Sequence, residues 1–331
     1  MAKEMNVKDI AIQAQGLNKS FGNIKAVSGV DFDVYSGELF GFLGPNGAGK
    51  TTTINMLTGI ARPDMGTIRI SGINCTKNPR TAQHLMGVVP DESNLYPELS
   101  GMDNLCFCAS LYGMSKKVRQ SRARDLLEMF GLTQASGRKF GGYSKGMKRK
   151  LTIAAGIIHE PEILFLDEPT TGIDVASARH LRGLIAKLNQ SGTTIFLTTH
   201  FIEEAERLCS RIAFIVAGRT IRIDTVENLL EPLQGKHIVQ IVCAGRQNGI
   251  LQKLADSFPG QEFSVPGNGL IRVESNKPVR VGHLVRFLED NETEVLEARR
   301  IRPSLEEVFV NITGIEADAM SKEKNKKGRG K

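Results

Sequence analysis

The sequence predicts an α/β protein: a strand–helix core interrupted by a helical subdomain, with a small α+β domain after it. Three observations predict it. Short β-branched runs alternate with helical patterns along most of the chain. From about Leu95 to Ile158 the alternation gives way to mainly helical patterns, which reads as an insertion. After Glu231-Pro232-Leu233-Gln234-Gly235 the pattern starts again. The 331 residues, at about 150 per domain, agree with two domains.

Strands are expected at Val30–Tyr35, Leu39–Leu43, Thr67–Ile70, Met86–Val89, Ile163–Leu166, Thr194–Leu197, Ile212–Val216 and Thr220–Ile223. Helices are expected at Lys50–Thr58, Arg119–Phe130, Met147–His159, Val175–Asn189 and Ile202–Cys209. The second domain should contain strands at His237–Cys243, Gly269–Ser275 and near Glu294–Leu296, with helices at Pro278–Asp290 and Ser304–Ile312. The expected domains are therefore 1–230, with the helical subdomain at about 95–158, then 231–314, then a tail at 315–331.

Composition narrows the function classes. Hydrophobic residues at 40% and charged residues at 24% describe a globular chain rather than a disordered one. The longest stretch free of Lys, Arg, Asp and Glu, Leu188–Ile202, is too short and too polar for a membrane span. The opening MAKEMNVKDI lacks the apolar stretch of a signal peptide. Five Cys without a CxxC pair argue against a disulfide framework or a zinc site, so the chain reads as cytosolic and reduced. The net charge is +7, which invites a nucleic acid or an acidic membrane surface. Lys322–Lys331, however, holds six basic residues and one acid, so +5 of that surplus sits in ten residues. Having no large apolar residue, that tail is expected to be disordered. It suits contact with anionic lipid, or it is a solvated end without a partner.

Two motifs carry phosphate chemistry. Gly44-Pro45-Asn46-Gly47-Ala48-Gly49-Lys50-Thr51 fits the phosphate-loop pattern GxxxxGK[ST] throughout, between an apolar strand and the helix that continues with Thr52. Its glycines let backbone N–H groups turn toward phosphate oxygens, and the helix adds its positive end. Lys50 should reach the β and γ phosphates and the Thr51 hydroxyl should ligate Mg²⁺. Farther on, the apolar run Ile163–Leu166 ends in Asp167 and Glu168. A buried strand ending in acids at the crevice of an open sheet places Asp167 on Mg²⁺ and Glu168 on the attacking water as general base. The pair defines a P-loop NTPase core.

Between these motifs lies Tyr143-Ser144-Lys145-Gly146-Met147, directly before the helix MKRKLTIAAGII. At this point the chain resembles the nucleotide-binding subunit of ABC transporters, whose signature is LSGGQ. Tyr143, Lys145 and Met147 depart from that pattern. The resemblance implies that Ser144 and Gly146 cradle the γ-phosphate of ATP bound to a second subunit, so that two copies, identical or different, sandwich two ATP molecules. It also implies that Phe21 stacks on adenine, unless it is an ordinary core Phe, and that Asp174 lies in the loop bridging the two ATP sites. His200 matches the switch histidine on the γ-phosphate. Asp91 stands where the family usually has Gln, with Mg²⁺ or water in reach. Glu92–Tyr112 resembles the surface that meets the membrane subunit.

The resemblance covers about Asp9 to Leu230, and Ala298–Gly314 looks like the end of the C-terminal extension of drug-export ATPases. It implies an ATPase at the cytoplasmic face of the membrane, using ATP and Mg²⁺. It would drive a separate permease for export of a drug, lipid, ion or polysaccharide. The rival class is a nucleic-acid- or ribosome-associated ABC ATPase. No specific nucleic acid is expected, because neither coiled-coil heptads nor a second set of motifs is present.

Overall fold

The alternating segment IAIQAQ opens the first strand, β1 (Ile10–Phe21), which pairs antiparallel with β2 (Ile24–Tyr35). The structure, a computed structural model, describes residues 9–233, 235–244, 249–267, 269–301, 304–315 and 320. β3 (Leu39–Leu43) leads into α1 (Lys50–Leu57), followed by β4 (Met65–Ile70), β5 (Ile73–Asn74), α2 (Pro79–Gln83) and β6 (Met86–Val89). The helical insertion comprises α3 (Gly101–Leu111), α4 (Lys116–Met129) and α5 (Lys145–Gly156). The core resumes with β7 (Ile163–Asp167), α6 (Val175–Gln190), β8 (Thr194–Thr199), α7 (Ile202–Leu208), β9 (Arg211–Val216) and β10 (Arg219–Thr225).

Six strands form the central sheet in the order β10-β9-β3-β8-β7-β6, parallel except for the antiparallel pair β9 and β10. Every residue of β3, β7 and β8 is buried, as expected for strands covered on both faces. A second, antiparallel sheet has the order β2-β1-β4-β5. Phe32 of that sheet meets Phe40, Phe42 and Phe196 of the central sheet with centroids 5.6–5.7 Å apart, so one aromatic core joins the two layers. The parallel order leaves the carboxyl ends of β3, β6, β7 and β8 on one edge of the sheet. Those ends carry the phosphate loop, Asp91, Asp167 with Glu168, and His200.

The chain divides into two compact units, Met1–Val226 with Ile312–Lys331, and Glu227–Asn311, rather than at the expected 230 and 314. α8 (Val226–Leu230) begins at the first of these divisions. The second unit is an α+β fold containing β11 (His237–Cys243), α9 (Ile250–Ser257), β12 (Gln261–Gly267), β13 (Leu270–Ser275), α10 (Val281–Asp290) and β14 (Val295–Ile301). Its sheet runs β12-β13-β11-β14, all antiparallel. Val239, Ile241, Ile271 and Val273 of the sheet share one apolar cluster with Leu254 of α9 and with Leu284 and Leu288 of α10. α11 (Leu305–Thr313) follows, and its Glu307 pairs with Arg272 of β13 at 3.0 Å. Apart from Ile315 and Met320, the expected tail at 315–331 lies outside the described residues.

Candidate active site

The phosphate loop turns between β3 and α1 because its glycines sit where a side chain does not fit. A Cβ on Gly44 would lie 2.1 Å from the carbonyl oxygen of Ile215, and one on Gly49 would lie 2.4 Å from that of Ala26. Gly49 also has φ +101°, a left-handed conformation at the entry to α1. The Gly49→Ala exchange therefore combines a steric clash with backbone strain of about 1–3 kcal/mol. It should weaken ATP binding by roughly 5- to 150-fold. Titration of the variant with a fluorescent ATP analogue checks this, and an unchanged Kd would contradict it.

Lys50 is buried, and its ammonium donates to the carbonyls of Gly44 (2.7 Å) and Pro45 (3.1 Å) and pairs with Glu168 Oε1 at 3.1 Å. Its ammonium is thus held by two loop carbonyls and by the charge of Glu168, contacts that a phosphate would take over. The amide of Asn46 donates to the carbonyl of Met320 at 3.3 Å, and the amide of Ala48 to that of Pro45 at 3.1 Å. An anion entering the loop would displace such carbonyls.

The Thr51 hydroxyl donates to Asp167 Oδ2 at 2.8 Å, and the Thr198 hydroxyl donates to Asp167 Oδ1. Burial pushes the Asp167 carboxyl up, against the lowering effect of these two hydroxyls. Thr51, Asp167 and, on the same cavity, Asp91 supply hard oxygen atoms. Among the described residues no cluster of three or more His, Cys, Asp or Glu could hold a metal by itself. Mg²⁺ usually takes only one or two carboxylates and completes its shell with water and phosphate. The residues present fit that ion.

Glu168 is the most constrained group. It adopts φ +49°, unusual for a residue with a side chain, and such strain persists where neighbours over-determine it. Its amide donates to the carbonyl (3.0 Å) and the hydroxyl (3.3 Å) of Thr198. Its carboxylate accepts from Thr171 Oγ1 at 3.1 Å and lies 2.7 Å from His200 Nδ1. Burial pushes this carboxyl up, but the His200 hydrogen bond and the Lys50 and His200 charges outweigh burial and hold it below its ordinary value. An ionised Glu168 accepts, so Nδ1 of His200 is the donor. A hydrogen bond from Nε2 to a phosphate oxygen then needs the doubly protonated ring.

A cavity of about 530 Å³ opens over these groups. Its walls include Lys25, Asn46, Thr52, Asp91 and Glu168, together with Lys50 and Thr51. This is the size range of small-ligand sites. Phe21 ends β1 opposite Ile24 of β2, which lines the cavity, and Phe21 is 55% exposed. It is not a core residue.

Ser144 and Gly146 are not among the lining residues. Ser144 caps α5, its hydroxyl accepting from the amide of Met147 at 3.2 Å, and it is exposed. Gly146 packs on the start of α6, where a Cβ would lie 2.6 Å from Ser177 Oγ. Asp174 caps α6 by accepting from the amide of Ser177 at 2.9 Å. The chain thus gathers Lys50, Thr51, Asp91, Asp167, Glu168 and His200 in one place and holds Ser144 elsewhere.

Sequence reasoning missed Thr198, which fixes both acids, and the wall residues Ile24, Lys25 and Ala26. The Thr pair that follows Ile195-Phe196-Leu197 and closes the strand TTIFLTT was the available signal for Thr198.

Fold and site together define a phosphate-loop nucleotide-binding protein with an inserted helical subdomain. A family model described as ABC transporter matches residues 27–171. The chain is 36% identical over 306 residues to the linearmycin resistance ATP-binding protein LnrL of Bacillus subtilis, covering 92% of this chain and 98% of that one. It is 42% identical over 316 residues to the Nod factor export ATP-binding protein I of Burkholderia lata, covering 92% and 97%. Against the daunorubicin/doxorubicin resistance ATP-binding protein DrrA of Streptomyces peucetius, identity is 36% over 317 residues and 95% of each chain. Among solved structures, an ATP-binding subunit of an ABC transporter superposes with TM-score 0.62 at 29% identity, covering 67% of this chain and 93% of that one. The dimeric post-hydrolysis cassette MJ0796, bound to ADP and Pi, gives TM-score 0.60 at 26% identity, covering 65% and 98%. The chain belongs to the ABC transporter family.

Proposed function

We propose that this chain is the ATP-hydrolysing subunit of an exporter, acting on a membrane permease carried by a separate chain. One observation carries the reading: a buried Glu168 held between Lys50 (3.1 Å) and His200 (2.7 Å) at the wall of the phosphate-loop cavity. Such a carboxylate can take a proton from water attacking the γ-phosphate. Lys50 leaves the loop carbonyls for the β and γ phosphates, and His200 donates to the γ-phosphate when doubly protonated. Thr51 and Asp167 would hold Mg²⁺, with Asp91 on the same cavity. When bound, the ion neutralises charge on the transferring phosphoryl group.

Ser144 and Gly146 serve the ATP of a second chain, identical or different, at the positive end of α5. Their absence from the walls of their own chain's cavity supports this division of labour. Phe21, exposed beside the cavity, stacks on adenine. The near full-length match to relatives named for drug resistance and for Nod factor export supports export as the direction.

The chain would act peripherally at the cytoplasmic face of the membrane, as the permease's ATP-binding partner; no helix among the described residues is long and apolar enough to cross a membrane. The six basic residues of Lys322–Lys331 suit anionic lipid, each near the surface worth about 1 kcal/mol. Purification from detergent-solubilised membranes tests the partner. A polytopic membrane protein should co-elute with the full chain, and with a chain lacking Lys322–Lys331 as well, because the tail only adds lipid affinity. Recovery with ribosomes or nucleic acid instead of a membrane protein would overturn the proposal.

A further inference from the structure

Arg149 has no part in the reading above, yet it is the most heavily bonded side chain at the site. It sits on α5, five positions after Ser144, and is 6% exposed. Its Nε donates to the carbonyl of Pro169 at 2.8 Å. Its Nη1 donates to the carbonyls of Asp91 (2.9 Å) and Pro90, and its Nη2 to those of Asp167 and Glu168 at 2.6 Å each. A guanidinium has five N–H donors in a planar fork, and here five backbone carbonyls meet them. Burial pushes the guanidinium below its ordinary value, and the field of Asp91, Asp167, Glu204 and Glu168 counters only part of that cost. A Lys, with three donors on one atom, cannot reproduce the pattern.

The acceptors are what give this cross-brace a function. Three of them are the carbonyls of Asp91, Asp167 and Glu168, the residues proposed above to serve Mg²⁺, the attacking water and the γ-phosphate. Arg149 also holds the strained backbone of Glu168 from its carbonyl side, as Thr198 does from the amide side. The same arginine is rigidly part of the helix whose first turn presents Ser144. We infer that Arg149 is a positioning residue linking the two ATP sites of the dimer. Displacement of the Asp91 or Asp167-Glu168 backbone in one site moves the fork, and with it the Ser144 end of α5 that serves the other site. This rests on the composite-site reading above. A bonded element shared by two sites couples them when it has two arrangements that each site biases, and the cooperativity of hydrolysis reads that bias.

The test uses the full-length chain with Arg149→Lys. ADP affinity of the single chain, thermal unfolding, and the ATP dependence of hydrolysis are measured beside the parent. The parent should hydrolyse ATP with a Hill coefficient above 1. Arg149→Lys should keep the parent's ADP affinity, unfold at a lower temperature because buried carbonyls lose their donors, lose about 10²-fold in kcat, as small misplacement of reacting groups does, and fall to a Hill coefficient of 1. A parent Hill coefficient of 1, or an unchanged one in the variant, would overturn the inference. So would ADP binding that fails in step with turnover. If Arg149→Lys does not fold, Arg149→Ala with added guanidinium ion replaces it. Recovery of cooperative hydrolysis by guanidinium but not by ammonium supports the link, and absence of recovery overturns it. Failure of the parent chain to dimerise with ATP would instead sink the composite-site reading, which separates the two claims.

Discussion

Glu168→Gln is expected to lower steady-state ATP turnover by about 10²- to 10⁴-fold, the range for removal of a general base, while ATP still binds. Gln has the shape of Glu but neither its charge nor its basicity. In the parent chain the carboxylate meets Lys50 at 3.1 Å and His200 at 2.7 Å, and it is ionised because those partners outweigh its burial. The exchange leaves Lys50 with the carbonyls of Gly44 and Pro45, and an incoming phosphate replaces the lost carboxylate. Binding should therefore be kept or tightened while hydrolysis stops. Phosphate release at saturating ATP, together with a filter-binding measurement of retained nucleotide, checks both halves. Turnover equal to the parent's would remove Glu168 from the role of base.

The second large effect concerns the other end of the composite site. Ser144→Arg should abolish ATP-driven dimerisation while the single chain binds ATP with unchanged affinity. Ser144 is exposed at the first turn of α5 and is not among the residues lining its own cavity, so a bulky cation there leaves the local phosphate loop alone. It would instead fill the space that a second chain's γ-phosphate needs. Loss of the cap is a separate, smaller cost, about 1 kcal/mol when Ser stops accepting from the amide of Met147. Thermal unfolding distinguishes the two, since a cap defect lowers the melting temperature without ATP. Analytical ultracentrifugation with and without ATP reads the dimer. Dimers that persist in the variant would show that Ser144 does not serve the partner's nucleotide.

Several strands were legible because apolar runs mark them, most clearly where both faces are covered, as in Leu39–Leu43. Leu39–Leu43, Met86–Val89 and His237–Cys243 fall on the residues expected from their apolar runs. Others were placed short. β8 continues through Thr198 and Thr199, polar residues that are nevertheless buried because their hydroxyls bond Asp167 and the amide of Phe201. β1 was missed altogether. Its polar Gln13, Gln15, Asn18 and Lys19 and its Gly16 at φ +57° break any apolar run, and register shifts interrupt its pairing with β2. α3 lies in the stretch expected to be helical but was not placed individually: Ser100 caps it, accepting from the amide of Asp103, yet the segment has few charges and no clear stripe.

The site itself was legible where motif and strand end coincide, as at Lys50, Thr51, Asp167 and Glu168. What stayed hidden depends on long-range packing. Thr198 meets Asp167 across neighbouring strands, and Arg149 reaches two strand ends from a helix. No local spacing in the sequence encodes either meeting.

The composite site is tested most directly by the mass in solution of the Glu168→Gln chain with Mg²⁺ and ATP, measured by light scattering with the bound nucleotide counted. Two chains and two ATP molecules per particle are expected, with a return to single chains when ADP replaces ATP. A single chain carrying one ATP under the same conditions would contradict it.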